Sequence, residues 1–262
     1  MINLNGAKIL VLGVANPESI AAGCALSFHA AGAELAITYL NDKARPHVKR
    51  VAYEVEAEIF TPYDAQDHQT ADALFDEIEV KWGRLDGVLH SIAYCPLEDL
   101  QRPIAECSAS GFLTAMEITC HSLMDITRRS IPLMQEGGSI TTISYLGGQV
   151  VLPDYNVMGP VKAALEATVR TLAVDLGPKH IRVNALSPGP MATRAASGLS
   201  DFDHTLKAAV QRAPLGRLAT PDDVGAFAAF LASPLGASVT GGVHFIDGGL
   251  HKLGWDHGHT DE

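Results

Sequence analysis

Short continuous apolar runs alternate along the chain with longer stretches whose apolar residues recur every three or four positions. The run Lys8-Ile-Leu-Val-Leu-Gly13 predicts a buried parallel strand ending in a turn. Helical spacing follows over Ile20 to Ala31, and Gly32 closes it. The same reading predicts further strands over 33–39, 59–64, 85–93, 138–144, 181–187 and 243–247. It predicts helices over 42–57, 70–82, 111–135, 155–176, 201–210 and 221–231. Regular strand–helix alternation implies an α/β fold, with a doubly wound parallel sheet, helices on both faces and right-handed crossovers. No linker, repeat or composition break divides it. Residues 1–250 read as one domain, followed by a polar tail over 251–262.

Composition narrows the function classes. With 262 residues and 47% hydrophobic content, the chain can bury a sizeable core. A net charge of -11 argues against nucleic-acid binding, which needs a basic surface. No apolar run approaches the roughly 20 residues of a membrane helix, and the N-terminus lacks a signal-peptide layout. Cys24, Cys95, Cys107 and Cys120 lack Cys-x-x-Cys spacing, so they read as reduced thiols of a cytoplasmic protein. His257 and His259 flank a glycine in the polar tail, with no cysteine nearby, and no metal is assigned.

A strand, a turn starting with Gly and a helix form the layout that cradles a pyrophosphate, as in Rossmann-type sheets. Here Gly13 opens the turn, and Ser19 and Ile20 stand where phosphate-facing amides would lie. Gly23 would let the helix approach the sheet. Gly-x-Gly-x-x-Gly is absent, and a Gly after a strand more often only makes a turn. The second strand ends Tyr39-Leu40-Asn41, with Asp42, Lys43 and Arg45 slightly late. That ending leans to NADH over NADPH. Asp64 and Ala65 could meet an adenine edge, or Asp64 could cap the next helix. Ser91 and Ile92 lie where ligands bind in open sheets.

The stretch from Ser144 to Lys162 holds Tyr145, Tyr155 and Lys162. If Tyr155 opens a helix, Lys162 follows nearly two turns later on the same face, about 10 Å along the axis. An ammonium there can hold ribose hydroxyls and favour a phenolate. The phenol can donate to an oxygen that gains charge. On that pair alone, a packed ring and a solvated charge would be the simpler account.

Taken together, the motifs resemble the short-chain dehydrogenase/reductase superfamily, and within it the enoyl-acyl-carrier-protein reductase branch. The carrying residues are Gly13 with Ser19-Ile20-Ala21, His90-Ser91-Ile92-Ala93, Ser144-Tyr145-Leu146-Gly147 and Tyr155-Asn156-Val157-Met158-Gly159. They continue with Lys162-Ala163-Ala164-Leu165-Glu166-Ala167, Arg182-Val183-Asn184-Ala185 and Asp247-Gly248-Gly249. Six residues between Tyr155 and Lys162 set this branch apart from the superfamily's usual three.

The resemblance implies NADH-dependent reduction of a trans-2-enoyl thioester carried on acyl carrier protein or coenzyme A, in fatty acid biosynthesis. It makes Tyr155 the donor to the thioester oxygen, places Tyr145 beside it, and gives Lys162 the nicotinamide ribose. It implies cofactor contacts at Gly13, Ser19, Ile20, Leu40, Asp64, Ala65, Ser91, Ile92, Lys162, Met191, Ala192, Thr193 and Ala195. Cys95 and Met158 would face the acyl chain, although small-residue and core packing would explain them as well. A covering lid is expected around 191–210, and a homotetramer is implied.

Three features depart from the branch. Pro160 would kink a helix that runs through from Tyr155 to Lys162, and is tolerable if regular helix starts near Met158. Pro188 and Pro190 would stiffen the lid hinge. Asp203 and His204 stand where basic docking residues for an acidic carrier would help, which keeps a coenzyme A thioester open. The rival readings are a short-chain carbonyl reductase or alcohol dehydrogenase, whose Tyr-x3-Lys this sequence lacks, and a non-catalytic nucleotide-binding protein.

Overall fold

The computed structural model describes residues 1–191 and 202–254, with 202–205 described by their backbone alone. Its seven strands all pair in parallel, in the order β3-β2-β1-β4-β5-β6-β7. They are β1 (Lys8–Leu12), β2 (Glu34–Tyr39), β3 (Ile59–Pro62), β4 (Gly87–His90), β5 (Gly138–Ile143), β6 (Ile181–Pro188) and β7 (Val243–Ile246). The helices are α1 (Ile20–Ala30), α2 (Arg45–Glu54), α3 (His68–Trp82), α4 (Leu97–Gln101), α5 (Ala109–Met116), α6 (Ser122–Ser130), α7 (Met158–Leu176), α8 (Phe202–Arg212) and α9 (Pro221–Ala232).

Strand periodicity of two explains the layers. From β1, Ile9 and Val11 enter one core with Phe28 of α1, Val48 of α2 and Val224 of α9. Leu10 and Leu12 enter the other core with Leu74 of α3, Leu123 of α6 and Leu165 of α7. On the first face α1 and α9 cross closely. A Cβ on Gly23 would press into the Pro221 backbone, and one on Gly225 would press into the backbone of Gly23.

Several predicted boundaries move, each for a local reason. The expected helix over 42–57 shortens at both ends. Asn41 Oδ1 accepts from the amides of Lys43 and Ala44 ahead of α2, and Glu56 has φ +48 after it. The strand predicted over 85–93 keeps only Gly87–His90, because beyond Ser91 the chain leaves β1. The single helix predicted over 111–135 is broken. A π turn at Glu117–His121 separates α5 from α6, and Pro132 sits in a 3-10 turn, Ile131–Leu133, where a missing N–H is tolerated. Short α4 lies in a stretch for which no helix was predicted.

The helix predicted from Tyr155 starts at Met158 instead. Asp154 (φ +61) and Asn156 (φ +37) are left-handed and cannot belong to it. Pro160 therefore falls in the first turn, where its missing amide hydrogen costs nothing, and the expected kink has no cause. Pro188 ends β6 in register with Ile246, and the Gly189 amide donates to Ile246. At the C-terminal end His251 is folded in, not part of a solvated tail. Its ring stacks on Phe245 at 3.9 Å, and its amide and Nδ1 both donate to Asp247.

Candidate active site

The strand order reverses between β1 and β4, so their C-terminal ends frame a crevice. Gly13 and Ser91 line it. Gly13 has φ +91, and a Cβ there would fall inside the Ser91 carbonyl, so only glycine lets the two chains meet. Ile92 follows, partly buried against the second core. Ser19 caps α1: its hydroxyl accepts from the Ala22 amide and donates to Asn16 O, while its own amide also donates to Asn16 O. Ser19 thus holds the turn's shape, and Ile20 opens the helix. Asn16 Oδ1 is buried without a hydrogen-bond partner in this turn, a feature the spacing of glycines did not point to.

On the far side of β1, Leu40 stands exposed at the end of β2. Arg45 lies over the Tyr39 ring at 5.8 Å. Asp64 does not cap α3: Asp67 does, accepting from the Gln69 amide at 2.9 Å. Asp64 instead accepts from the Gln66 amide, which shapes the turn that carries Ala65. Met191 is buried beside the first core. Ala192, Thr193, Ala195, Asp201 and with them half of the expected lid, 192–201, lie outside the described residues, as do the side chains of Asp203 and His204, and His257 and His259. Among the described residues no helix is long and apolar enough to cross a membrane, and no group of three or more acidic, His or Cys side chains could hold a metal.

Tyr145, Tyr155 and Lys162 converge around one turn, Ser144–Gln149, which follows β5. The Tyr145 and Tyr155 rings meet edge to face, centroids 5.0 Å apart. Gly147 packs under Tyr155 so tightly that a Cβ would overlap the ring. Gly148 lies against the backbone of Lys162 and Ala163. Lys162 is buried, and its ammonium donates to Ile143 O at 2.7 Å, its one hydrogen bond among the described residues. Burial lowers its pKa to about 8, against an opposing pull from Glu166. Burial likewise pushes the Tyr145 phenol up to about 12. Tyr155 is pushed up further by burial and by the charges of Tyr145 and Glu166. The pair therefore corrects one expectation. The tyrosine is held as a phenol, a hydrogen-bond donor, and not as a phenolate.

A strap over residues 94–108 closes the other side. Met158, Val157, Val161 and Ala115 form a small apolar cluster against which Cys95, Leu100, Cys107 and Tyr155 pack. Met158 is buried in that cluster and Cys95 packs on its edge, which fits the core-packing reading as well as the acyl-facing one. The Cys95 thiol is pushed up to about 11, chiefly by burial, and donates to Pro96 O, so it is an unreactive surface element. Buried Asp99 staples the strap by accepting from the Ser108 amide and hydroxyl. Asn156 Nδ2 donates to Leu100 O at 2.7 Å, tying the strap to the residue beside Tyr155. Asn156→Ala removes that tie and is expected to raise KM for the substrate that the resemblance implies about 10-fold, with a smaller change in kcat. Steady-state kinetics on the variant would check this; an unchanged KM would remove the strap from substrate binding.

Behind Lys162, His90 is fully buried at the end of β4. Its Nδ1 lies 3.0 Å from Thr142 Oγ1 and its Nε2 2.7 Å from Ser122 Oγ. Thr142 Oγ1 also reaches His90 O, and Ser122 Oγ reaches Ile118 O in the π turn. Burial, helped by the Lys162 charge, lowers the ring to about 3, so it is neutral. Sequence reasoning assigned no role to His90, Ser144, Asn156 or Glu166. The available signal for Glu166 was a carboxylate on the same helical face as Lys162, one turn later.

Comparison with known proteins agrees with this geometry. Residues 13–251 match the family model described as enoyl-(acyl carrier protein) reductase. The NADH-dependent enoyl-acyl-carrier-protein reductase FabI of Nostoc sp. is 46% identical over 260 residues, covering 97% of this chain and all of that protein. An enoyl-acyl-carrier-protein reductase from Anaplasma phagocytophilum, solved in complex with NAD, is 43% identical with a TM-score of 0.92, each chain covered to 96%. The Bacillus cereus reductase, solved with NADP+ and indole naphthyridinone, is 42% identical with a TM-score of 0.94, covering 97% of this chain and 100% of that one.

Proposed function

Since the chain belongs to the enoyl-(acyl carrier protein) reductase family, we propose that it reduces the carbon–carbon double bond of a trans-2-enoyl thioester with NADH, in fatty acid biosynthesis. The observation that carries this reading is the meeting of Tyr155, Tyr145 and Lys162 on one turn beside an apolar wall. The β1/β4 crevice fits a dinucleotide. Gly13 brings bare backbone to its rim, α1 points its N-terminus there, and the Lys162 ammonium can hold ribose hydroxyls. When bound, NADH supplies the hydride that reaches the β-carbon of the substrate. The charge that then develops on the thioester oxygen is met by the Tyr155 hydroxyl, a donor held in place by Gly147. Tyr145 presses the Tyr155 ring from the side. Met158, Cys95 and Leu100 exclude water from the acyl chain.

NADH is the favoured cofactor. Leu40 and Asn41 offer no cation at the end of β2, and Arg45 lies against Tyr39. Acyl carrier protein is the carrier named for the relatives, and the coenzyme A thioester is the convenient surrogate. The working form is a homotetramer. Edge strand β7 is only half-buried, and Leu97, Ile104 and Leu113 stand exposed around α4 and α5. The four cysteines are free thiols, in keeping with the reducing cytoplasm.

NADH oxidation with crotonyl-coenzyme A, run beside NADPH and a simple ketone, tests the reading, and light scattering reports the mass. Turnover of the enoyl thioester alone is expected. Turnover of the ketone in its place would establish the carbonyl-reductase alternative.

A further inference from the structure

We propose that Glu166 is a positioning residue of this site: its carboxylate clamps the Ser144–Gln149 turn under Tyr155 and supplies the buried negative charge that balances Lys162. The inference rests on the reading of Lys162 as a ligand of the cofactor ribose.

Three observations carry it. Glu166 is buried one helical turn beyond Lys162, on the inward face of α7 with Leu165 and Val169. Its two oxygens are taken by the two ends of one turn. Ser144 Oγ donates to Oε1 at 2.6 Å, and Gln149 Nε2 donates to Oε2 at 2.9 Å. Between those ends lie Gly147, against the Tyr155 ring, and Gly148, where a Cβ would sit 3.0 Å from Glu166 Oε1. The turn therefore lies flat between carboxylate and phenol, and its shape fixes where the hydroxyl points.

The electrostatic part follows from the same placement. A buried carboxylate with two neutral donors still carries a full charge, and that charge is costly unless a cation is near. Lys162, one turn back on the same helix, feels that charge, although the two form no direct ion pair. The titratable groups that Lys162 interacts with are Glu166, the Cys120 thiol and the His90 ring. Burial already pulls Lys162 down to about 8, and Glu166 opposes that pull. Without the carboxylate the ammonium would lose its proton inside the neutral range.

The test is the pH dependence of the NADH dissociation constant, followed by fluorescence between about pH 6 and 9. In the unmodified protein affinity is expected to fall as Lys162 deprotonates, near pH 8. Glu166→Gln keeps an acceptor for Ser144 and an amide for Gln149 to turn toward, but removes the charge. The fall is expected to begin about one pH unit lower or more, with affinity at the acid end nearly unchanged. Glu166→Met, of similar volume and no charge, should shift it the same way and serves if the glutamine variant does not fold. Ser144→Ala loosens the clamp and keeps the charge, so its limb should stay in place.

A uniform loss of affinity in Glu166→Gln with the limb unmoved would overturn the inference and leave a purely structural clamp. Lys162→Met separates the two readings. If it abolishes the limb while Glu166→Gln leaves it in place, only the role of Glu166 fails. If Lys162→Met retains the limb, the ribose reading fails and the inference falls with it.

Discussion

Exchanging Tyr155 for phenylalanine is expected to lower kcat for a short enoyl thioester about 10²-fold while leaving NADH affinity unchanged. The ring keeps its seat on Gly147 and its edge contact with Tyr145, so packing is preserved. What is lost is one hydroxyl hydrogen, aimed at an oxygen that is more negative in the transition state than in the substrate. An interaction of that kind acts on kcat more than on binding. Because burial and neighbouring negative charge push the Tyr155 phenol upward, the loss should not vary with pH across the neutral range. Steady-state kinetics together with fluorescence titration of NADH would check both halves. Tyr145→Phe is the comparator. Its phenol presses the reacting ring from the side, and a fall as large as that of Tyr155→Phe would reassign the donor to Tyr145.

Gly13→Ala should destabilise the fold by about 3 kcal/mol and abolish NADH binding. Two costs add. A left-handed φ of +91 is strained for any side chain. The new methyl also has to displace the Ser91 backbone, an overpacking cost of about 1–3 kcal/mol. Relief requires β1 and β4 to part at the very point where the crevice opens. Urea denaturation would report the stability. Gly6 provides the calibration: its φ is +72, yet a Cβ there meets nothing within 4 Å. Gly6→Ala should therefore cost only the backbone share, about 1 kcal/mol. Equal losses at the two positions would mean that the Ser91 contact contributes nothing.

The first strands were readable because they are short, nearly continuous apolar runs. Runs such as Ile9 to Leu12 leave few alternatives, and each was bounded by a glycine or a polar turn. The Tyr-x6-Lys spacing singled out the pair proposed here as catalytic, but its geometry differs from the one expected. Tyr155 lies outside the helix because two flanking residues are left-handed, and the residue types offered the clue, since Asp and Asn adopt that conformation more readily than others. Pro160 looked like a defect only while the helix was thought to start five residues before it. The π turn at 117–121 left no mark in periodicity: one extra residue per turn is a tertiary compromise, not a local preference. Glu166 was hidden for a different reason. A single charged residue on an apolar helix face is ordinary in sequence, and its meaning lies in Ser144 and Gln149, distant along the chain.

The hydroxyl-flanked ring of His90 has a consequence in counting. Its four contacts, to Thr142 and Ser122 and from these to two carbonyls, have only three hydrogens to share while the imidazole is neutral. One contact is always left without a hydrogen. If the ring hydrogen is on Nδ1, Ser122 must turn its own to Nε2 and desert Ile118 O. If it is on Nε2, Thr142 must turn to Nδ1 and desert His90 O. The two tautomers thus differ by rotation of two hydroxyls and transfer of one ring proton, with no heavy atom displaced. Behind the ammonium of Lys162 the protein carries a two-position proton register, written in hydrogens alone.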